Sequence, residues 1–296
     1  MNIKTICAHF AIATIMLSGV SCEKQFIEGI EGGGEVNDDK DDNGDNGDKD
    51  SKDDKDNNQP TVNVQFNILG VESAKTGTAS LKSTCKRLSY SVFDESGERY
   101  NYRTNTQLSS DNDFGRLKLS IPKGKYSFVF VAENGKDAPT ISKINTVTFK
   151  KNKLTDTYHY YCEYDIKEKA SYDITLHHSI AKLRVTINDA TPQEIDSLSF
   201  YYTGGSSTLD PTTGGGNVSS RQTETYSVQT SAHKGKSEYE MFTFPHADAR
   251  KLKVKISAKS GEQTLYSGSI SDITMEQDDV TECSLNFFGE HPNVGR

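Results

Sequence analysis

The fold is decided by residues 117–132, which read LKLSIPKGKYSFVFVA. Leu117, Leu119 and Ile121 alternate with polar residues, which is the period of a half-buried β-strand. The Pro-Lys-Gly-Lys segment that follows is typical of a turn. Beyond it, apolar side chains occupy both faces of the chain over residues 126–132, as in a strand that is covered on both sides. The pattern therefore predicts a β-hairpin whose second strand lies at the centre of a sheet.

Alternating apolar residues recur on both sides of this predicted hairpin, with turn residues between the runs and no convincing amphipathic helix. The predicted strands lie near residues 62–68, 88–92, 100–102, 144–149, 158–164, 172–176, 181–187, 198–202, 226–228, 239–244, 252–258, 265–270 and 283–287. The sequence therefore predicts an all-β fold of two tandem β-sandwiches, an N-terminal one at 60–168 and a C-terminal one at 169–296.

One loop of the second predicted sandwich is unusually polar. Residues 204–216 are rich in Gly, Ser, Thr and Pro. Such segments pack poorly, so we expect this loop at a solvent-facing end of the sandwich, where insertions are tolerated.

The N-terminus has the features of an export signal. A lysine near the start precedes an apolar segment at residues 6–17, which is too short to span a bilayer. The next residues, LSGVSC, resemble a bacterial lipobox, in which small side chains at Gly19 and Ser21 admit the signal peptidase and Cys22 carries the lipid. We expect residues 1–21 to be removed and the acyl chains on Cys22 to tether the protein stably to a membrane. A plain secretory signal with a chance cysteine is the alternative.

The segment between Cys22 and the first predicted strand is strongly acidic. Residues 31–59 hold ten Asp, two Glu and four Lys, a net charge of −8, which equals the −8 of the whole chain. We expect residues 22–59 to form a lipidated N-terminus and a disordered linker, because the carboxylates repel one another and almost no apolar side chain can be buried. The remainder is formally neutral, which argues against nucleic acid as a partner.

A calcium site is the alternative interpretation of this linker. Asp39, Asp41, Asn43, Gly44 and Asp50 occupy the ligand and glycine positions of an EF-hand-like loop. The loop has Asp where the last ligand is ordinarily Glu, and no helix flanks it. Any run rich in Asp, Asn and Gly gives such matches by chance, so a plain linker is the preferred interpretation.

The predicted folded part lacks the motifs of common catalytic sites. It has no zinc-protease, nucleophile-elbow, phosphate-loop or Cys-x-x-Cys pattern, so we expect neither an enzyme nor a cofactor. His177 and His178 are adjacent on a predicted strand, so they should point to opposite faces and not share a metal ion. The segment Asp196-Ser197-Leu198 resembles a short O-glycosylation signal of exported bacterial proteins, which makes Ser197 a possible modification site.

The cysteine count leaves two possibilities open. Cys7 lies in the signal segment and Cys22 is the predicted lipid site, so Cys85, Cys162 and Cys283 remain. One disulfide can form among these three, or all three are buried thiols.

Several of these elements together resemble the fimbrillin-associated anchor lipoproteins of Bacteroidales. The runs 88–97 (LSYSVFDESG) and 122–132 (PKGKYSFVFVA) are similar to the family's "vFD..G" and "pxGxY" patterns, and both follow a lipobox. The segment 178–186 (HSIAKLRVT) resembles the opening of the family's second domain, with His178 or Ser179 where an Arg is often found. The resemblance implies two transthyretin-like Greek-key sandwiches in a lipid-anchored, surface-exposed protein of the outer membrane. Such a protein anchors fimbriae or limits their length, and it binds fimbrial subunits by strand addition.

The resemblance also separates an anchor from a shaft subunit. Major fimbrillins are trimmed after an arginine near the front of the first domain, but here the first arginine is Arg87, and a cut there would delete the predicted strand 62–68. An anchor that keeps Cys22 is therefore expected. A fimbrial shaft or tip subunit is one alternative. A glycan-binding surface lipoprotein is the other, with Tyr158, Tyr160, Tyr161 and Tyr164 as its sugar platform in the absence of tryptophan.

Overall fold

The computed structural model describes residues 59–289 except 101, 102, 247 and 249, and nearly all regular structure in this part is β. The strands of the first half are β1 (Thr61–Ser73), β2 (Gly77–Ala79), β3 (Arg87–Asp94), β4 (Asn105–Leu108), β5 (Arg116–Pro122), β6 (Gly124–Glu133), β7 (Thr140–Lys143), β8 (Thr146–Thr148) and β9 (Thr157–Ile166). Those that follow are β10 (Ala170–His178), β11 (Ala181–Ile187), β12 (Ser197–Thr203), β13 (Thr208–Leu209), β14 (Arg221–Ser227), β15 (Ser237–Thr243), β16 (Leu252–Ser260), β17 (Gln263–Ile273) and β18 (Val280–Leu285). The helical segments of the described part are α1 (Leu81–Thr84) and two 3₁₀ turns, Lys150–Asn152 and Ala232–Lys234. The prediction of an all-β fold is confirmed.

The first sheet folds over on itself to form two facing layers. One layer has the order β5-β1-β10 and the other the order β9-β6-β3-β4, and the two join where the ends of β9 and β10 pair at residues 158–159 and 177–178. Strand β1 is parallel to β10 and antiparallel to β5. Its side chains therefore meet those of β6, which lies on the opposite layer and not beside it.

Strand β1 supplies the centre of the first core. Val64, Phe66 and Ile68 are buried, and the Phe66 side chain is fully enclosed. The Phe66 ring lies 4.7 Å from the Phe128 ring and 5.1 Å from the Phe130 ring, centroid to centroid, and these two belong to β6. The alternation in 62–68 therefore places one aromatic ring against the middle strand of the facing layer.

The predicted hairpin at residues 117–132 is wrong in one respect. Strand β6 does lie at the centre of its layer, between β3 and β9, as its two apolar faces predict. Strand β5, however, pairs with β1 and not with β6. Both sides of β6 are already occupied, so the Pro122–Gly124 connection crosses from one layer to the other. Alternation identifies a strand but not the strand that it pairs with.

The second half of the chain forms two further sheets that face each other. Their orders are β15-β11-β18 and β14-β12-β16-β17. The inward side chains of β11, β12 and β16 alternate with outward polar ones, and Val185, Phe200, Val254 and Ile256 are fully buried. These strands repeat the period of two that the sequence shows.

Strand β10 belongs to the first core. Tyr172, Ile174 and Leu176 on β10 pack with the side chains of β1 and β6, and β10 pairs along its length with β1. The division of the chain into two domains stays a prediction. The predicted boundary at residue 168 places β10 in the second half, although β10 pairs with β1 of the first half. The second hydrophobic cluster begins only at Leu183.

The loop at residues 204–216 does not lie at a solvent-facing end, contrary to the expectation. It contains β13, which pairs with β8 and so joins the first half of the chain. Leu209 is fully buried in a third hydrophobic cluster, together with Val129 and Val131 of β6 and Phe244. Small hydroxyl side chains let the segment pack, because the Ser206 hydroxyl donates to the carbonyl of Thr208 and accepts from the amide of the same residue. The loop is therefore a strap that closes the second face of β6.

We expect an insertion in this strap to destabilise the fold. A Gly-Ser-Gly insertion between Thr208 and Leu209 should displace Leu209 from its cluster, and loss of a buried leucine costs about 2–5 kcal/mol. The same insertion at Gly261, where a side chain would contact nothing within 4 Å, is the matched control. Urea unfolding of both variants measures the difference, and equal stability would contradict the role of the strap.

We expect Phe66→Ala to lower the free energy of unfolding by about 3–5 kcal/mol, because it leaves a cavity between the two layers of the first core. Leu69→Ala, three residues beyond Phe66 on the same strand but 64% exposed, should change it by less than about 1 kcal/mol. Chemical denaturation followed by tyrosine fluorescence compares the two variants. Similar losses for both would show that β1 is not the centre of the core.

Candidate functional site

The first sandwich has an open strand edge at β5. On an antiparallel strand, the N–H and C=O of one residue point to the same side, and the side alternates along the chain. The carbonyl of Gly115 accepts from the Ile68 amide, toward β1, whereas the amide of Arg116 donates to Asp113 on the other side. Lys118 and Ser120 therefore direct their backbone groups away from β1. No other strand of the described chain pairs with that side.

The side chain of Gln107 covers the upper end of this edge. Its amide nitrogen lies 2.9 Å from the carbonyl oxygen of Arg116 and 3.2 Å from that of Asp113, and its oxygen accepts from the Gly115 amide at 3.0 Å. One glutamine thus satisfies the backbone groups that a neighbouring strand would satisfy. Below it, the edge at Lys118 and Ser120 stays uncovered by the described residues.

A groove of about 980 Å³ lies beside the open edge. Tyr90, Phe114 and Leu117 form apolar parts of its wall. Most of the remaining wall is polar, and the cations Arg116 and Lys118 are matched in number by the carboxylates of Asp113 and Asp173. The exposed side chain of Leu69 lies at its rim. A groove with apolar pockets next to unpaired backbone groups is the arrangement that receives an added strand.

Arg87 is held inside the fold. It lies on β3, which pairs with β4 on one side and β6 on the other. Its guanidinium donates to Glu133 at 3.1 Å and to the carbonyls of Gly135 and Lys136 at 2.9 and 3.1 Å. Glu133 is 2% exposed, and burial raises the pKa of its carboxyl group. A protease would have to open β3 to reach the peptide bond after Arg87.

The two adjacent histidines have separate partners. The Nδ1 atom of His178 lies 2.6 Å from a carboxylate oxygen of Asp278, while His177 Nδ1 faces Glu72 at 3.7 Å. The other Asp278 oxygen accepts from the amide of Ala74 at 2.5 Å. Asp278 therefore ties the turn after β1 to the end of β10. Within the described residues, no group of His, Cys, Asp and Glu side chains is arranged to hold a metal ion.

His159 is a buried histidine that the sequence did not single out. Burial, with the nearby His177 as a smaller cause, lowers the pKa of His159 from 6.5 to about 4. Its Nδ1 atom is enclosed without a hydrogen-bond partner. Gly214 of the strap packs on the ring, and a Cβ atom at Gly214 would lie 2.9 Å from the Cε1 atom of His159. The ring is thus covered by the strap between the two halves.

We expect the stability of the protein to fall as the pH drops from 6.5 toward 4. In that window the unfolded chain binds a proton at His159 and the folded chain does not, so the free energy of unfolding decreases by about 1.4 kcal/mol per pH unit from this residue. His159→Gln should reduce this slope. His177→Gln, at a position 45% exposed, is the control. Urea unfolding at several pH values would contradict the assignment if both variants kept the wild-type slope.

The other residues that the sequence singled out fall into three groups. Cys22 and the calcium-loop candidates Asp39, Asp41, Asn43 and Asp50 lie outside the described residues. Ser197 begins β12, is half-buried and pairs with Ser227 and Lys259 on the neighbouring strands. Cys85, Cys162 and Cys283 form no disulfide, which resolves the cysteine alternatives in favour of thiols.

The tyrosines near β9 do not form a surface platform. Tyr158 is buried, and the Tyr164 ring stacks on Tyr172 with centroids 3.9 Å apart. Tyr160 and Tyr161 are half-buried and pack against the first and third hydrophobic clusters. These residues stabilise the sandwich, so the glycan interpretation finds no support at this position.

Residues 287–289, which follow β18, pack against the second half of the chain. Phe287 is buried after β18, where Gly268 of β17 leaves room for its ring, and Phe288 stacks edge-on against Tyr266. The Asp189 carboxylate accepts from the amides of residues 287, 288 and 289 at 2.9, 2.5 and 2.6 Å.

Comparison with known proteins identifies the family of the chain. Residues 55–288 match the sequence model of a protein family described as fimbrillin-A associated anchor proteins Mfa1 and Mfa2. The chain belongs to this family. Membership supports a fimbrial accessory role at the cell surface or envelope, in a family of anchor and adhesin-like proteins. No curated protein sequence matches the chain.

Two solved structures of adhesin-like proteins support the fold. A candidate adhesin of Bacteroides ovatus ATCC 8483 is similar with a TM-score of 0.52 and 11% identity, over 75% of this chain and 87% of that one. Another candidate adhesin of Bacteroides ovatus has a TM-score of 0.50 and 11% identity, over 73% and 78%. The fimbrial anchor protein Mfa2 from Porphyromonas gingivalis has a TM-score of 0.43 and 10% identity, over 72% and 83%. Among the described residues, no helix has the length and apolar character needed to cross a membrane.

Proposed function

We propose that this protein is an outer-membrane lipoprotein that anchors a fimbria, with its lipid on Cys22 and a fimbrial subunit bound along β5. The observation that carries the proposal is the free side of β5 beside a groove of mixed polar and apolar lining. There, the backbone groups of Lys118 and Ser120 point away from β1. An incoming strand would bond to those groups and place alternate side chains against Tyr90, Phe114 and Leu117.

The anchoring half of the proposal rests on the position of β1 and Arg87. Strand β1 is the middle strand of its layer, and Arg87 is enclosed by β4, β6 and Glu133. No arginine precedes Arg87, so an arginine-specific protease cannot release the lipid end without opening β3. A subunit that keeps β1 also keeps the linker and Cys22, and it stays at the base of the fibre.

Lys118→Pro tests strand addition at β5. Proline removes an amide hydrogen that points away from β1 and is tolerated on an edge strand, so the fold should persist while binding of fimbrial subunits is lost. Lys118→Ala removes the same side chain but keeps the amide, and it should bind like the wild type. A pull-down from the native envelope with each variant gives the comparison. Equal capture of subunits by both variants would exclude β5 as the receiving edge.

Terminal sequencing tests the anchor role. Protein recovered with intact fimbriae should begin at a lipid-modified Cys22, and Cys22→Ala should release the protein from the membrane fraction. A mature species that begins at Leu88 and repeats along the shaft would make the protein a shaft subunit. Membrane retention of the Cys22→Ala protein would contradict the lipid tether.

A further inference from the structure

The outer face of the sheet β14-β12-β16-β17 has an unusual composition. Successive side chains along each strand point to opposite faces of the sheet. The strand register therefore identifies the side chains that point away from the buried core. Apart from Tyr201, four cations and the exposed Asp272 at a bulge of β17, the outward positions carry mainly hydroxyl groups. The hydroxyl-bearing residues are Ser197, Ser199, Thr203, Thr223, Thr225, Ser227, Ser257, Thr264, Ser267 and Ser269.

The four cations on this face are Arg221, Lys253, Lys255 and Lys259. None of them forms an ion pair with another described residue. The carboxylates at the ends of β17, Glu262 and Asp272, form no pair with them either. The body of the chain is formally neutral, so this face concentrates positive charge that is balanced elsewhere.

The opposite sheet of the same half provides an internal comparison. On the outer face of β15-β11-β18, Arg184 lies 3.0 Å from Glu240 and 2.9 Å from Glu282, and Lys182 lies 3.4 Å from Glu240. Cross-strand pairs of opposite charge are the ordinary way to stabilise an exposed sheet face. The sheet that carries Lys253 and Lys255 has no such cross-strand ion pairs among the described residues. Its cations are therefore available to an external anion.

We infer that this face binds an acidic polysaccharide. Carboxylates of the polymer would pair with Arg221, Lys253, Lys255 and Lys259, and sugar hydroxyls would exchange hydrogen bonds with the Ser and Thr side chains, which both donate and accept. Lys253 and Lys259 are six residues apart on β16, so they span about 20 Å along the strand, enough for an extended chain. Tyr201, which is 40% exposed, offers a ring for a sugar to lie on.

Other partners fit this face less well. A membrane-binding face needs apolar side chains that enter the bilayer, and Tyr201 is the one large apolar residue exposed here among the described positions. The centres of protein interfaces are enriched in aromatic residues and depleted in Lys and Ser, which is the reverse of this composition. A hydrophilic polyanion matches both the charge and the hydroxyl groups. The inference is independent of the proposed binding of a strand at β5.

The test uses native gel electrophoresis of the full-length mature protein in detergent, in gels containing polygalacturonate or neutral dextran. Wild-type protein should be retarded by polygalacturonate and not by dextran, and the retardation should weaken as salt is added. The triple variant Lys253→Ser, Lys255→Ser, Lys259→Ser should bind roughly tenfold more weakly. The control is a second triple variant with the same change in net charge at exposed positions elsewhere: Lys123→Ser, Lys136→Ser, Lys143→Ser. It should bind within about twofold of wild type.

Three results would overturn the inference. The first is the absence of retardation in the wild type, or an equal loss in both triple variants. The second is retardation that appears only after residues 31–59 are deleted, which would assign the face to the chain's own acidic linker. The third is binding to phosphatidylglycerol vesicles that polygalacturonate does not compete with, which would assign the face to a membrane surface.

Discussion

The contact between Phe66 on β1 and the rings of Phe128 and Phe130 on β6 is the interaction on which the first sandwich depends. It joins the two layers of a folded-over sheet, and its rings are enclosed. Because β1 also pairs with β5 and β10, the N-terminal strand of the folded part is an interior strand of its layer. The open edge is consequently displaced to β5, one strand further out. The same placement leaves the acidic linker and Cys22 attached to a strand that cannot leave without loss of the core.

The second constraint is the covering of both faces of β6. One face meets β1, and the other meets a cluster to which the second half contributes Leu209 of the strap and Phe244. The two halves thus share apolar surface through this cluster. Beside the junction, Gly214 of the strap packs on the His159 ring and Asp278 adds polar contacts to Ala74 and His178. A subunit that transmits pulling force between a fibre and a membrane needs its parts joined in this way. In the proposed anchor, load applied at β5 would pass through β1 to the linker directly.

Much of the strand pattern could be predicted from the sequence, because period-two alternation reports local burial. The runs at 62–68, 126–132 and 181–187 are strands, and the two apolar faces of 126–132 correctly indicated a central position. The partners of those strands could not be predicted. Residues 117–132 look like a hairpin, yet β5 joins β1, since strand pairing depends on contacts distant in sequence. The strap at 204–216 was misjudged because Ser and Thr side chains satisfied one another's backbone groups when buried. For the site, the sequence identified Arg87 as a constraint, whereas Gln107 and the free side of β5 follow only from the register.

Cutting the chain after β1 shows most directly whether β1 is an integral strand of the first core. A specific protease site inserted between Thr76 and Gly77, in the exposed turn before β2, would separate β1 and everything before it from the rest of the protein. Gel filtration of the cut protein under native conditions then shows whether the fragment stays bound. We expect the fragment and the body to elute together, and to separate only at denaturant concentrations that unfold the body. Release of the fragment from a body that stays folded would contradict this expectation, because β1 would then be a removable strand and β5 would not be the receiving edge.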